Sequence, residues 1–223
     1  PRSDHEGAFL ASHISQLGAK QVALITAEDD WTAAVSDGIR AQFESEGAQK
    51  SQSNAARVVF DESVHPSDAD FRTLLVKMRA KSPDAIIANV GLKQIGPLVR
   101  QVRDFKIVAP IYSNFWAAKP EVIEAAGQQA IEGLSFVEMN GELKGLSGLA
   151  SGATVSSYAA TAFLLQSVAS MSDPTASLLS AMKAQTEVIT QSGRFPIQDR
   201  CVLFPLTVRT IRAGKVQSDS APA

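Results

Sequence analysis

Aromatic and amide side chains follow several short apolar runs of this sequence, and these residue types are well suited to binding a small molecule. Asn114, Phe115 and Trp116 stand together after one run, and Trp31 and Asn89 follow two others. Aromatic residues make up only 6% of the chain, and this group contains both of its tryptophans. Rings stack on flat apolar groups and amides form hydrogen bonds with polar ones. The pattern favours a binding site.

A purely structural interpretation is open for each aromatic residue. Trp31 is equally suited to the core under the first turn of a helix. Tyr112 and Phe115 are suited to inward packing, and Trp116 to sealing an interface. Both interpretations stand at this stage.

The carboxylates nearest to Trp31 are Glu28, Asp29 and Asp30. Paired carboxylates serve general acid–base catalysis, but acids at the start of a helix more often interact with its dipole. We therefore expect these acids to stabilise a helix start. Asp30, which directly precedes Trp31, is also a candidate ligand-binding residue.

Motifs of enzymes are missing or incomplete. Gly91 and Gly96 have the spacing of a phosphate loop, but Pro97 and Leu98 replace the Lys and Ser/Thr that hold phosphate and magnesium. No dinucleotide-binding glycine pattern follows the first strand, and no nucleophile motif surrounds Cys201. Histidines are scattered and form no metal-ligand pattern: His5, His13 and His65. We expect a protein that is not an enzyme and that needs no metal or cofactor.

The candidate residues lie in a segment that alternates between apolar runs and helical patterns. Five runs have the length and β-branched content of strands that are buried on both faces: Gln21–Thr26, Arg57–Asp61, Asp84–Val90, Val108–Tyr112 and Leu134–Glu138. This alternation predicts an α/β fold with a doubly wound parallel sheet. Ligands of such sheets bind at the carboxyl ends of the strands, where the candidate residues stand.

The composition indicates a soluble globular chain. Its 223 residues are 45% hydrophobic and 20% charged, which is enough to bury a sizeable core. The net charge of −2, without a basic cluster, argues against a nucleic-acid partner. No apolar stretch approaches the roughly 20 residues that span a bilayer.

The pattern changes after Glu138. Residues 139–194 begin with a segment rich in Gly, Ser and Ala and continue with two helical patterns, which predicts helices without a sheet of their own. Val202–Ile211 alternates apolar and other residues and predicts an antiparallel edge or meander strand. Pro205 favours a position at the edge of a sheet.

Several stretches occur in an order and spacing that are typical of one family. They are Arg2-Ser3-Asp4; Val22–Thr26 with Glu28–Trp31; DADFRTLLVKMRAKSPDAI at 68–86; GPLVRQV at 96–102; GQQAIEGLSF at 127–136; Tyr158–Ala160; and VRTIRAGK at 208–215. Together they cover nearly the whole chain. The chain resembles the second half of a type I periplasmic binding protein, in particular the leucine/isoleucine/valine-binding receptors of ABC transporters.

The resemblance implies two α/β lobes that close on a solute. Residues 1–138 would form the C-terminal lobe, residues 139–194 would contribute helices to the N-terminal lobe, and residues 195–223 would return to the α/β domain. The first half of the N-terminal lobe is then missing from this sequence. We therefore expect a doubly wound lobe with additional helices from a second, incomplete lobe, and self-association that covers their apolar faces.

The resemblance also assigns site residues and shows departures from the family pattern. An aromatic residue after the first strand packs on the ligand in the family, and Trp31 matches it. Amino-acid binders tend to carry an aromatic residue where Gly91 and Leu92 stand here, and an acid that meets the ligand ammonium where Phe115 stands. An ammonium buried without a carboxylate is costly, so ordinary α-amino acids are disfavoured.

These departures lead to a hypothesis about the ligand. We expect an apolar or aromatic acid stacked by Trp31 with Phe115 or Trp116, and we expect Asn89 and Asn114 to offer amide hydrogen bonds. The implied function is the solute-binding receptor of a branched-chain amino acid-type ABC transporter.

The resemblance further implies a membrane permease as partner and a periplasmic or extracellular location, although the sequence carries no signal peptide. A ligand-sensing domain of a receptor or regulator with the same fold is the alternative. An attached kinase, channel or DNA-binding segment would favour that alternative.

Overall fold

The chain forms a seven-stranded sheet with helices on both faces. A smaller region with a sheet of its own lies in the sequence before the last two strands of the large sheet. The computed structural model describes residues 2–49, 55–139, 152–171, 177–190 and 193–218. The helices are α1 (Ser3–Gln16), α2 (Asp30–Gln49), α3 (Arg72–Ala80), α4 (Leu92–Asp104), α5 (Pro120–Ala126), α6 (Gln128–Ile131), α7 (Gly152–Ala169) and α8 (Leu178–Ala184), with a 3₁₀ turn at Phe115–Ala118. The strands are β1 (Gln21–Ala27), β2 (Arg57–Val64), β3 (Ala85–Asn89), β4 (Ile111–Ser113), β5 (Ser135–Met139), β6 (Glu187–Thr190), β7 (Gly193–Gln198), β8 (Cys201–Val202), β9 (Leu206–Arg212) and β10 (Lys215–Ser218).

The large sheet has the strand order β10-β9-β5-β4-β3-β1-β2. The five strands from β1 to β5 pair in parallel with their neighbours, whereas β9 and β10 form an antiparallel pair beside β5. The predicted doubly wound parallel sheet is confirmed, and all five predicted parallel strands form.

Alternate residues of each buried strand feed two separate cores, as expected for a sheet covered on both faces. Helices α1 and α2 cover one face, where Leu10 and Ile39 pack on Val22 and Leu24. Helices α3 to α6 cover the other face, where Leu75 and other apolar side chains pack on Ala23, Ile25 and Ile86. Because β1, β3 and β4 run parallel, with helices connecting them across the faces, their carboxyl ends lie at one edge of the sheet.

The chain separates into two compact units. The larger unit is Ser3–Glu138 with Val208–Ala223, and the smaller unit is Pro1–Arg2 with Met139–Thr207. The chain therefore returns to the larger unit near residue 207, later than the predicted 195, because β7 pairs with β6 and β8 pairs with β7 in the smaller unit. Assigning the larger unit to a C-terminal lobe remains an interpretation of the resemblance.

The prediction of helices without a sheet for residues 139–194 is wrong. Strands β6, β7 and β8 form a three-stranded antiparallel sheet, which begins at Glu187. Phe195 and Phe204 pack beside Val155 and Ala159 of α7, so the sheet shares a small core with that helix. The Gly-, Ser- and Ala-rich segment at 140–155 predicts a crossover or linker, and its residues 140–151 lie outside the described residues. Residues 152–155 belong to α7 instead, so that part of the prediction is wrong.

The antiparallel strand predicted at Val202–Ile211 forms only in part, as β9, which pairs antiparallel with β10. The chain leaves β8 after Val202 and enters β9 only at Leu206, and Pro205, which has no backbone N–H, lies in the interruption. Strand β10 lies at the edge of the large sheet and β9 lies inside it. Among the helices of the described residues, none has the length and apolarity needed to cross a membrane.

Candidate functional site

The carboxyl ends of β1, β3 and β4 lie side by side and bring the predicted site residues together. Thr26 of β1 stands opposite Asn89 of β3, and Ala88 of β3 stands opposite Ser113 of β4. The segments that leave these strands carry all eight predicted residues: Asp30, Trp31, Asn89, Gly91, Leu92, Asn114, Phe115 and Trp116. The sheet order thus places residues distant in sequence at one edge.

Three aromatic rings meet at this edge and form what we call the aromatic cluster, Trp31, Phe115 and Trp116. The ring centroids of Trp31 and Phe115 lie 5.3 Å apart at 68°, and those of Phe115 and Trp116 lie 4.6 Å apart at 40°. Both distances are typical of favourable aromatic pairs. All three side chains are half-buried.

The aromatic cluster spans the edge of the sheet from one face to the other. Trp31 packs against the core under α1 and α2, whereas Trp116 packs against the core under α3 to α6. Phe115 joins them. The interpretation of these aromatic residues as core residues therefore holds in part. The two tryptophans pack against the edges of the two cores, and Tyr112 is buried within one of them.

The turn that carries Trp31 is fixed by local hydrogen bonds. The Asp29 carboxylate accepts the N–H groups of Trp31 and Thr32 at 3.0 and 2.9 Å, which satisfies two free donors of the first turn of α2. The Thr32 hydroxyl donates to the Ala27 carbonyl at 2.7 Å. Asp29 thus stabilises the helix start as expected, and Asp30 is exposed beside it.

Asn89 and Asn114 are almost fully buried, with exposures of 1% and 2%. The Asn89 amide nitrogen donates to the Thr32 carbonyl at 2.7 Å and to the Ser36 hydroxyl at 2.9 Å. The Asn114 amide nitrogen donates to the Val90 carbonyl at 3.0 Å and to the Asn89 side-chain oxygen at 3.3 Å. An amide nitrogen has two hydrogens, so both amides use their donors inside the protein. This differs from the expectation that they offer hydrogen bonds to a ligand.

Gly91 and Leu92 begin α4 at the same edge. The Gly91 N–H donates to the Gln94 side chain at 3.1 Å, and Gln94 donates in turn to the His65 carbonyl. A Cβ added at Gly91 would meet only the Gln94 oxygen, at 3.4 Å, and the backbone has an ordinary φ of −68°. Neither backbone nor packing requires glycine here, so the missing side chain leaves open space.

Lys119 is a residue of this edge that the sequence analysis missed. Its ammonium nitrogen lies 5.9 Å from the centroid of the Trp116 ring, within the range of a weak cation–π contact. The side chain is half-buried. A signal existed in the sequence, because a lysine three residues after Trp116 in a short turn cannot lie far from that ring.

A separate cavity of about 650 Å³ lies between α4, α5 and α6. Two arginines and two acids line it, Arg100, Arg103, Asp104 and Glu124, and none of the predicted site residues does. Arg103 donates to the carbonyls of Ile107 and Ala109, just before β4, so the cavity lies near the amino end of that strand. The two positive and two negative side chains that line this cavity balance in charge. The edge of the sheet with the aromatic cluster remains the candidate site.

A protein metal site needs several His, Cys, Asp or Glu side chains close together. Across the described ranges, no three His, Cys, Asp or Glu side chains come close enough together to hold a metal ion.

Comparison with known proteins identifies the family. A family profile described as periplasmic binding protein matches residues 4–202. The chain belongs to this family. An amino acid binding protein of Pseudomonas aeruginosa is 28% identical over 127 residues, which cover 56% of this chain and 32% of that protein.

Solved structures of periplasmic binding proteins share the fold at low sequence identity. A leucine binding protein of Thermotoga maritima has a TM-score of 0.73 at 22% identity, over 98% of this chain and 65% of its own. A branched-chain amino acid transporter substrate binding protein of Streptococcus pneumoniae, in complex with isoleucine, has a TM-score of 0.68 at 19% identity, over 97% and 64%. A solute binding protein of Rhodopseudomonas palustris, in complex with benzoate, has a TM-score of 0.65 at 16% identity, over 97% and 62%.

These comparisons confirm the resemblance to type I periplasmic binding proteins that the sequence motifs indicated. The chain spans about two thirds of the length of the solved structures that it matches. It is therefore a partial representative of the family.

Proposed function

We propose that this chain is part of an exported solute-binding receptor that serves the permease of an ABC transporter, and that its solute is an apolar or aromatic acid. Membership of the periplasmic binding protein family supports the receptor function. The observation that carries the ligand class is the aromatic cluster with the Lys119 ammonium beside it. In this proposal the edge of the sheet holds a solute without changing it chemically.

The charges at the edge favour an acid over an amino acid. Phe115 follows Asn114 where an amino-acid binder would need a carboxylate for the ligand ammonium, and an uncompensated buried ammonium costs several kcal/mol. Asp29 already accepts two backbone N–H groups. Lys119 instead supplies a positive charge that attracts a ligand carboxylate.

The shape of the edge favours a flat or bulky apolar group. Trp31, Phe115 and Trp116 offer ring faces and edges on which such a group stacks. Gly91 and the half-buried Leu92 leave room beside the start of α4. Among the structures with the same fold, one was solved with isoleucine and one with benzoate, so the fold itself accommodates both ligand classes. The side chains of this chain favour the second class.

Intrinsic fluorescence tests the proposal directly. The chain has two tryptophans, and both belong to the aromatic cluster. Titration with benzoate should give a saturable change in fluorescence, and leucine should require about tenfold higher concentration or more, which corresponds to roughly 1.4 kcal/mol. Tighter binding of leucine than of benzoate would contradict the ligand class.

A charge variant sharpens the test. Lys119→Gln should weaken benzoate binding about threefold to fivefold, because a partly exposed ion pair contributes up to about 1 kcal/mol. Binding of the neutral analogue benzamide should not change. Lys81→Gln, an equal charge change at an exposed site after α3, is the matched control. Equal effects of the two variants would exclude a specific role for Lys119.

A further inference from the structure

The two buried amides at the carboxyl edge do more than fill space, because they connect the three segments that carry the aromatic cluster. Asn89, the last residue of β3, donates to the carbonyl of Thr32, the residue that follows Trp31. Asn114, the first residue after β4, accepts the N–H of Trp116 at 3.1 Å and so fixes the turn that holds Phe115 and Trp116.

A hydrogen bond between the two amides joins these segments. The Asn114 amide nitrogen donates to the Asn89 side-chain oxygen at 3.3 Å and to the Val90 carbonyl at 3.0 Å. Each amide orientation is set by its bonds, because only the nitrogen can donate to the Thr32 and Val90 carbonyls. The start of α2, the end of β3 and the turn after β4 are thus held by one pair of side chains.

The pair has its own buried support. The Ser36 hydroxyl accepts from Asn89 at 2.9 Å and shares a hydrogen bond of 2.7 Å with the Thr26 hydroxyl. Ser36, Thr26 and both asparagines are at most 4% exposed. In such a water-excluded site a satisfied polar network is strong and directional, and it specifies one arrangement.

We infer that Asn89 and Asn114 are positioning residues that set how Trp31 and the Phe115–Trp116 pair lie relative to each other. This inference rests on the proposed function, since the arrangement of these touching rings sets the surface on which a flat group stacks. The two amides themselves do not contact the ligand, because their donors are committed and their side chains are buried. Selectivity for flat acids is then a property of the network beneath the rings.

Three variants and one control test the inference. Asn114→Ser keeps a hydroxyl that accepts the Trp116 N–H at the start of the turn but removes both donors. Asn89→Leu removes all polar contacts at similar volume, and Ser36→Ala is a milder second variant on the same network. Ser113→Ala is the control, because it removes a buried hydrogen bond between β4 and β3 that touches none of the aromatic segments.

The readouts separate positioning from simple stability. Near-UV circular dichroism and acrylamide quenching without ligand report the arrangement of the two tryptophans, benzoate titration reports affinity, and thermal unfolding reports stability. We expect Asn114→Ser and Asn89→Leu to change the near-UV spectrum and to weaken benzoate binding about tenfold or more, as displaced binding groups do. Ser36→Ala should show the same changes at smaller size, and Ser113→Ala should leave spectrum and affinity within about twofold.

Two results would overturn the inference. One is a native near-UV spectrum and native affinity in folded Asn114→Ser and Ser36→Ala, even with a lower unfolding temperature. The other is an equal loss of affinity in Ser113→Ala, which would indicate general loosening of the sheet. If the unmodified chain binds no acid, the proposed function fails, whereas the spectra without ligand still decide whether these amides fix the cluster.

Discussion

The larger and the smaller unit differ in how completely each buries its apolar surface. The larger unit has two cores, one on each face of its sheet. Among the described residues of the smaller unit, the core consists of four buried side chains: Val155, Ala159, Phe195 and Phe204. Several large apolar side chains of the smaller unit are exposed: Leu164, Leu165, Val168, Leu178, Leu179 and Ile189. The larger unit also exposes Leu17, Val76 and Val108, but these lie far apart in sequence, whereas the exposed apolar side chains of the smaller unit fall mostly on α7 and α8.

Helices α4 and α7 show the same difference in sequence. Helix α4 buries Ile95 and Val99 on one side and exposes Lys93 and Arg100 on the other, as an amphipathic surface helix does. Helix α7 has no charged residue, and its exposed side carries Leu164, Leu165 and Val168, which are residue types that normally lie inside a protein. The exposed side of α7 therefore has the composition of an interior surface.

The strongest test of this comparison removes one large side chain from each unit. Phe136→Ala in the fully buried core should lower the free energy of unfolding by about 3–5 kcal/mol, because it leaves a cavity. Leu165→Ala, which is 66% exposed, should change it by less than about 0.5 kcal/mol. Urea unfolding followed by circular dichroism measures both. Both are compared at a protein concentration low enough for the chain to be a monomer, and equal losses there would show that Leu165 is covered within one chain.

A buried carboxyl group is an exception within the well-satisfied larger unit. Glu6 of α1 is 6% exposed, and its Oε2 has no hydrogen-bond partner among the residues that the structure describes. Burial raises the pKa of Glu6 from 4.5 to about 7, so the folded protein retains a proton that the unfolded chain releases. Stability is therefore fully present below about pH 4.5 and falls as the pH rises to about 7, by roughly 3 kcal/mol.

Glu6→Gln should remove this loss, because an amide does not titrate. Unfolding in urea at pH 5 and pH 8 measures the difference for both proteins, and His5→Gln on the neighbouring position controls for other titrations. An unchanged pH dependence in Glu6→Gln would assign the effect to another group.

The contact between α1 and α2 offers a third test of the completeness of the larger unit. A Cβ at Gly38 would lie 2.0 Å from the Asp4 carbonyl oxygen, so Gly38→Ala should cost about 1–3 kcal/mol through overpacking. Gly47→Ala in the same helix meets only a side-chain carbon at 3.9 Å and should be neutral or stabilising by up to about 1 kcal/mol. A neutral Gly38→Ala would contradict the backbone contact.

The smallest effect on stability accompanies a change in association. We predict that this chain self-associates through the exposed apolar side of α7, so Leu165→Glu should shift sedimentation toward the monomer while changing unfolding by less than about 0.5 kcal/mol. Lys183→Glu on α8 changes charge nearby without removing apolar surface. A monomer at every concentration in the unmodified chain would contradict the prediction.

Most of the larger unit was predictable because each parallel strand is a short apolar run between helical patterns. The first and last residues of β4 were harder to predict. Val108 belongs to the run but is 92% exposed, and the strand begins only at Ile111, after Pro110, which cannot donate a ladder hydrogen bond. The sheet of the smaller unit was missed because β6 has four residues and β7 contains Pro196, so neither gives a clear period.

The site was predictable in place but not in detail. The rule that ligands bind at the carboxyl ends of parallel strands was enough to select the segments of Trp31, Asn89 and Phe115. Sequence does not state where an amide points, so Asn89 and Asn114 were expected to face a ligand although their donors bind the Thr32 and Val90 carbonyls. Ligand contact by the other six candidate residues, Asp30, Trp31, Gly91, Leu92, Phe115 and Trp116, stays a prediction.

The position of β9 beside β5 has a consequence for synthesis of the chain. Ile211 exchanges backbone hydrogen bonds with Gly133 and Leu134, and the Glu132 carboxylate accepts the Ala213 N–H. Residues 140–205 must leave the ribosome before these partners exist, so the nascent larger unit waits with one side of β5 open. Closing a loop of this length adds little entropy cost, but the pairing of β9 with β5 is delayed until residues 140–205 have been made. The open side of β5 is therefore the natural place for a chaperone to act during synthesis.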